Sequence, residues 1–275
     1  MSESRISSRS VGTFNANEWV DEGDGLFASA RTTRATWQIK RRQFGLEINR
    51  RGQRFPNAKA WHELNGLPRA SVLLLGYAAE MYLKAGLARA YQGCREEMFA
   101  RDVRRFGHKL SQLAHAVDLP DLDKCRPDLF QLEEAILVGA RYPVHVRTGD
   151  SHADVVNSRT DEMWDRARYK RLCNLARRIR DHVTLIDQDR HNPAIFKSYA
   201  IDNDGYLTFR LGGHLCPRIT YRPSSDLLAA RTIGPEDIRA LLDSQKHTAI
   251  LHYWPLSIVI EDGTQKSIVH ADPDP

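Results

Sequence analysis

Apolar residues along this chain keep two different periods. From Leu26 to Ile48, Phe27, Ala30, Trp37, Phe44 and Ile48 recur at helical steps, with Arg31, Arg34, Gln38 and Arg42 off the stripe. A polar stretch around Gly52 and Pro56 interrupts, and Ala58 to Leu64 predicts a short helix. Pro68 suits the first turn of the next helix, which reads VLLLGYAAEMYLKAGLARAY from Val72. It is apolar on nearly every side except at Glu80 and Lys84, the pattern of a buried central helix. Those two residues stand one turn apart and predict a local salt bridge on its least buried side; the alternative is that Glu80 orients a polar group on a neighbouring helix. Leu110, Leu113, Ala114 and Val117 mark a helix from Phe106 to Val117, opened by Gly107 and His108 and closed by Pro120. Leu129, Leu132, Ile136 and Ala140 mark another, with Pro127 in its first turn and Pro143 at its end. A polar loop follows over 147–160. Trp164, Ala167, Leu172, Leu175, Ile179, Val183 and Ile186 then define a long final helix, whose N-terminus Asp161 and Glu162 favour through the helix dipole.

Past Asn192 the period falls to two and turn residues multiply. GYLTFRL from Gly205, RITYRP ending at Pro223, and LHYWPLSIVI separated from KSIVH by EDGTQ predict short strands. GPEDIRALLDSQ from Gly234 predicts a helix with Ile238, Leu241 and Leu242 to bury. The expected fold class is therefore mainly α: an up-and-down helical bundle over residues 24–190 and a small α+β appendage over 195–275. Residues 1–23, rich in Ser, Gly, Asn and acid, predict a flexible arm.

Composition adds boundaries. A chain of 275 residues fits one main domain with an appendage, and 41% apolar with 27% charged residues is ordinary for a globular protein. No apolar run approaches the roughly 20 residues of a membrane span, and MSESRISSRSVG lacks the apolar core of a secretory signal, so a cytoplasmic protein without membrane contact is expected. Cys94, Cys125, Cys173 and Cys216 are far apart with no CxxC pair, which predicts reduced, structural thiols rather than a zinc site or disulfides. Asp150, His152 and Asp154 alternate and would converge on a metal in an extended loop, but a solvated loop explains them as well. Asp202, Asn203 and Asp204 before Gly205 lack the rest of a calcium loop and predict a tight turn. With no P-loop, GxGxxG, GxSxG or HExxH, no metal and no cofactor is expected.

The net charge of +5 is modest, but it is unevenly spread. One excess of cations lies between Arg31 and Arg54, including Arg34, Arg41 and Arg42; a second lies between Arg166 and Arg180, including Lys170, Arg171, Arg177 and Arg178. Clustered cations on helices neutralise phosphates and release counterions, so these seven residues are candidate nucleic-acid contacts. Solvated helix faces are the plainer reading.

Several segments together resemble the HEPN superfamily over residues 24–190, in particular the bundles associated with minimal nucleotidyltransferases. The segments are A-x-E-x-x-L-K-A at Ala78, Glu80, Leu83, Lys84 and Ala85; G-H-x-L at Gly107, His108 and Leu110; and the helix ending Arg141, Tyr142, Pro143. The resemblance implies a helical bundle that commonly forms homodimers. It also implies either metal-independent cleavage of RNA or non-catalytic binding, in a toxin-antitoxin or phage-defence setting. In the nucleolytic members a histidine moves the proton as the ribose 2′-hydroxyl attacks phosphorus, and an arginine stabilises the developing charge. The pair available here is Arg141 and His145, with Tyr142 after the arginine and Pro143 between them, so the spacing does not by itself put both on one continuous helix face. The RYP-containing binders fit better. For them the resemblance implies a nucleotide, RNA or a nucleotidyltransferase-like protein as partner, with Arg141, Tyr142, His108 and Lys109 as ligand contacts. Arg141 and His145 are the catalytic residues of the alternative, an endoribonuclease. A dimerising scaffold is the third expectation.

Overall fold

The computed structural model describes residues 4–51, 58–139, 151–230, 233–263 and 267–269. The chain is mainly helical, with a five-stranded mixed sheet in its C-terminal part. Its contacts group into two units, each drawn from separated stretches of sequence. A helical unit comprises Ala16–Ala85 and Phe106–Val183; a mixed unit comprises Met1–Asn15, Gly86–Arg105 and Thr184–Pro275. A single boundary near residue 190 is what the change of period suggests. Period alone does not say which core each turn of a long helix faces.

The helical unit opens with α1 (Ala16–Arg51). Residues 16–23, expected within a loose arm, are its first two turns, and partners distant in sequence hold them. Asp24 accepts from Tyr82 Oη at 2.8 Å and from Arg180 at 2.6 and 2.7 Å. Gly23 lies against the Tyr82 ring, where a Cβ would come within 2.5 Å of a ring carbon. Ala30 and Trp37 of the expected stripe are buried, and Arg34, expected outside it, is buried with them.

The second helix, α2 (Ala58–Ala90), is continuous through Pro68, where two helices were expected. Proline removes the hydrogen bond to the carbonyl four residues back. That carbonyl belongs to Leu64, and the Trp37 indole Nε1 donates to it at 3.0 Å. Val72, Leu75, Ala78, Ala79 and Leu83 are almost fully buried, as the all-round apolar pattern requires. Each of the larger side chains among them contributes about 1.5–3 kcal/mol by leaving water. Gly76 lets the next long helix approach: a Cβ there would meet Ile136 Cγ1 at 2.9 Å and the Leu132 carbonyl at 3.0 Å.

That helix, α5 (Leu122–Glu134), follows the short α4 (Leu110–Ala116), starts a turn before Pro127, and continues as one π turn, Ala135–Gly139. Much of the expected polar loop is helix α6 (His152–Trp164), with Ser151 as its N-cap. The expected long final helix breaks at Asp165, which is extended; its carboxylate accepts from Ala167 N at 2.7 Å and so starts α7 (Arg166–Leu185). Leu172, Leu175, Ala176, Ile179 and Val183 form the buried stripe of α7.

In the mixed unit the strands lie in chain order: β1 (Ile195–Ile201), β2 (Gly205–Gly212), β3 (Leu215–Arg222), β4 (Ile258–Glu261) and β5 (Ser267–Val269). All neighbours are antiparallel except β3 and β4, and a parallel pair needs a crossover. The crossover holds α8 (Ser225–Ala230), α9 (Pro235–Ser244) and α10 (Thr248–Tyr253). LHYWPL, expected as strand, is therefore mostly helix α10 and a 3-10 turn. Leu207, Phe209, Ile219, Tyr221 and Val259 pack with Ile238, Leu242, Ile250 and Trp254 in one core. On the opposite face stand Tyr206, Thr208 and Arg210 of β2 beside Thr220 and Arg218 of β3, all buried. Residues 4–6 pair with the chain near Cys94: Ile6 N donates to the Cys94 carbonyl at 2.9 Å, and Gly93 N to the Ile6 carbonyl at 2.8 Å. An additional helix, α3 (Glu96–Phe106), not assigned from the pattern, buries Met98, Phe99 and Asp102.

Among the described residues no helix is long and apolar enough to cross a membrane. The cysteines are unbridged; Cys94, Cys125 and Cys173 are buried and Cys216 is exposed.

Candidate functional site

Glu80 sits on the central helix with its side chain 2% exposed. A carboxylate so buried is costly unless it is paired, and it is paired twice. Oε1 accepts from Lys84 Nζ at 2.5 Å, one turn on, and Oε2 lies 2.8 Å from His108 Nδ1. Both readings of Glu80 thus meet in one residue, although the salt bridge is on a buried side rather than the least buried one. Gly107, at φ 54, ends α3 in a left-handed turn that a Cβ disfavours. Gly107 and His108 therefore form the turn before α4 rather than its first residues, and Lys109 is the N-cap of α4.

The geometry has a chemical consequence. A carboxylate at Nδ1 favours the tautomer protonated there, fixes the ring, and leaves Nε2 as the acceptor that a ligand can meet. The His108 side chain is 37% exposed, and Lys109 beside it is exposed. Tyr77 lies edge-on to the imidazole, with centroids 6.0 Å apart, and Lys84 Nζ is 5.6 Å from the Trp19 ring centroid. This is a positioned histidine with a cation next to it, backed by a buried ion pair. Neither Tyr77 nor Trp19 is signalled by the sequence, because each reaches the array through tertiary packing.

The other ligand and catalytic candidates, Arg141, Tyr142 and His145, lie outside the described residues, as does Asp150. Asp154 is in the first turn of α6, and no cluster of metal-ligating side chains occurs among the described residues.

The cationic candidates divide. Arg34 is 3% exposed and donates to the carbonyls of Met163, Trp164 and Asp165 at 2.6, 3.2 and 3.3 Å. Its guanidinium also lies over the rings of Trp37 and Tyr169. It serves the break between α6 and α7 and is not presented to a nucleic acid; burial lowers its pKa. Arg41 and Arg42 are exposed, with Arg41 4.8 Å from the Trp164 ring centroid. On α7, Lys170 and Arg177 share a face two turns apart, and both are exposed. Arg171 and Arg178 share a second face and approach Asp128 at 3.8 Å and Asp121 at 3.5 Å.

The mixed unit holds a second polar array that periodicity hides. Asp262 accepts from Arg95 Nε at 2.5 Å and from Tyr206 Oη at 3.0 Å; Asp102 accepts from Tyr91 Oη at 2.7 Å. Arg101 reaches both carboxylates, at 3.3 and 3.6 Å, and the Arg5 guanidinium lies 4.4 Å from the Tyr206 ring centroid. Burial pushes both phenols up and the neighbouring Cys94 thiol up to about 12. These charges answer one another and hold the unit together.

No family model, curated protein or solved structure matches the chain. Its function therefore rests on the residues themselves.

Proposed function

We propose that this chain is an HEPN-like, up-and-down helical bundle that binds a nucleotide or RNA without cleaving it. It acts with a partner, a nucleotidyltransferase-like protein, as a homodimer in a toxin-antitoxin or phage-defence setting. The observation that carries the reading is the contact between Glu80 and His108. It fixes an imidazole whose Nε2 can accept from a base edge or a ribose hydroxyl, beside the Lys109 ammonium, which can meet a phosphate. The exposed cations Arg41, Arg42, Lys170 and Arg177 add the electrostatic surface that a phosphate chain needs. Arg141 and Tyr142 belong to this proposal through the resemblance alone.

The test is a titration of the protein with fluorescently labelled single-stranded RNA, and separately with a nucleotide, at several salt concentrations. His108→Ala is expected to weaken binding about tenfold, the worth of one hydrogen bond. Replacing Arg177 and Arg178 by Gln should flatten the salt dependence by about one unit of slope for each phosphate contact removed. Weak binding that ignores both salt and His108 would instead favour the dimerising scaffold. The endoribonuclease reading, with Arg141 and His145, is tested by incubating labelled RNA without metal. Cleavage by the unmodified protein that is lost in both Arg141→Ala and His145→Ala would overturn the proposal.

A further inference from the structure

Because the strands of the mixed unit lie in chain order, β1 forms one edge of the sheet. All seven of its residues pair with β2, from Ile195 opposite Leu211 to Ile201 opposite Gly205. An antiparallel strand turns alternate backbone groups to its two sides, so half of the N–H and C=O groups of β1 point away from β2. Among the described residues no backbone hydrogen bond reaches β1 from that side. Ile195, Lys197, Ser198 and Ala200 are exposed, whereas residues 205–210 of β2 are buried throughout. Proteins commonly blunt an open edge with proline, a bulge, short length or several charges. This strand has no proline and no register shift, exceeds the usual length of about 5–6 residues, and carries one charge, Lys197.

Its sequence matches a second copy of itself in one register. With a two-fold axis at Ser198, Ile195 stands opposite the partner's Ile201, Phe196 opposite the partner's Ala200, and Lys197 opposite the partner's Tyr199. Apolar residues then meet apolar residues, and the ammonium meets a ring rather than a like charge. An axis at Lys197 would set two ammonium groups face to face, and one at Tyr199 would set Lys197 against the partner's Ile201. Placed at Ser198, the axis serves whichever alternate groups point outward, since the central pair can be of the hydrogen-bonded or the non-hydrogen-bonded kind. We propose that β1 pairs antiparallel with β1 of a second copy about Ser198, joining the two sheets into one. This edge gives the homodimer its surface, resting on that one element of the proposed function and not on ligand binding.

The experiment is sedimentation velocity of the full chain from about 1 to 200 μM, where a dimer with a Kd of tens of micromolar or tighter is expected, the strength of an interface at the small end of the specific range. Position 198 faces itself, so Ser198→Lys and Ser198→Glu each set two like charges at the axis and should weaken the dimer at least about tenfold. Mixed in equal amounts they set opposite charges there, and should form a heterodimer within about threefold of the unmodified Kd. Ser198 is exposed and only 3.3 Å from Thr208 Oγ1, a contact whose loss the fold should bear. A second and nearly isosteric variant, Ser198→Cys made in a Cys216→Ser background, should be cross-linked to a covalent dimer by a short bismaleimide, with Cys216→Ser alone as the control. Binding of labelled RNA is titrated on the same samples, so a failed dimer and failed RNA binding are read separately. A chain that stays monomeric over the whole range overturns the proposal, and so does a dimer that persists in both charged variants while each melts as the unmodified protein does. A mixture of folded charged variants that does not associate, or a dimeric Ser198→Cys sample that does not cross-link, overturns it as well.

Discussion

Replacing Glu80 by glutamine keeps the shape of the side chain and removes its charge, so it isolates what the buried carboxylate does. Lys84 is 11% exposed and Glu80 2%. Breaking a fully buried pair by removing one partner costs about 3–5 kcal/mol, mostly the penalty of the abandoned charge. Two features place this site below that range. The glutamine carbonyl still accepts one hydrogen bond from Lys84, and the Trp19 face near the ammonium supplies about 1 kcal/mol of cation–π attraction. The expected loss for Glu80→Gln is therefore about 2–3 kcal/mol. His108, with its exposed ring, turns to water at little cost. The double variant Glu80→Leu, Lys84→Met removes both charges together and should be less destabilised than Glu80→Gln, because no unpaired charge remains. The assay is urea unfolding with linear extrapolation, followed by far-ultraviolet circular dichroism and by tryptophan fluorescence; coincidence of the two checks that one transition is read. A Glu80→Gln variant within about 0.5 kcal/mol of the unmodified protein, with losses in the double variant that simply add, would refute the reasoning.

Gly76→Ala forces a methyl group against Ile136 and the Leu132 carbonyl, and backbone cannot rotate away. A loss of about 1–3 kcal/mol in urea unfolding is expected, where Gly25→Ala, whose Cβ meets nothing, should be neutral or slightly stabilising. Hydrogen bonds from Arg180 hold the Asp24 carboxyl below its ordinary pKa. An acid depressed in the folded state contributes stability that is fully present above the unfolded pKa of about 3.9 and is lost as pH falls through the folded value. Asp24→Asn should therefore be less stable than the unmodified protein at pH 6, with the difference shrinking as pH is lowered toward 2. The difference is under about 1 kcal/mol because the pair is well exposed. Equal stability at both pH values would remove the ion pair from consideration. Finally, a thiol reagent at pH 8 should modify Cys216 quickly and leave Cys94, Cys125 and Cys173 until the protein is unfolded; fast labelling of Cys94 would contradict its burial and raised pKa.

Much of the helical framework was legible because burial and period coincide. Ala30 and Trp37 of the α1 stripe, the α7 stripe from Leu172 to Val183, the all-round apolar α2, and the α9 start at Gly234 and Pro235 fall where the residues place them, whereas Ala167 is exposed and Trp164 belongs to α6. What escaped had its cause in partners far along the chain. Pro68 signals a helix start only until Trp37 supplies the lost donor from another helix. Arg34 looks like a solvent-facing cation until the broken end of α6 requires its fork. Alternation along β2 and β3 predicts strands but does not show that Thr208, Arg210, Arg218 and Thr220 on the polar face are all buried. At the candidate site, Glu80 and Lys84 were readable as a pair through their spacing. The approach of His108 depends on the turn at Gly107, which no period encodes.

The division of the chain also orders events in time. During synthesis the helical unit has all its residues once residue 183 is made, while the mixed unit spans Met1–Asn15, Gly86–Arg105 and the stretch from Thr184 on. Tyr206, which meets Asp262 and carries Arg5 on its ring, is made some 200 residues after Arg5. Arg5 and Ile6 thus leave the ribosome long before the unit they belong to can close. Until then Met98 lacks Tyr206, whose hydroxyl meets its sulfur in the folded chain, an interval in which a nascent chain is most exposed to chaperones and proteases.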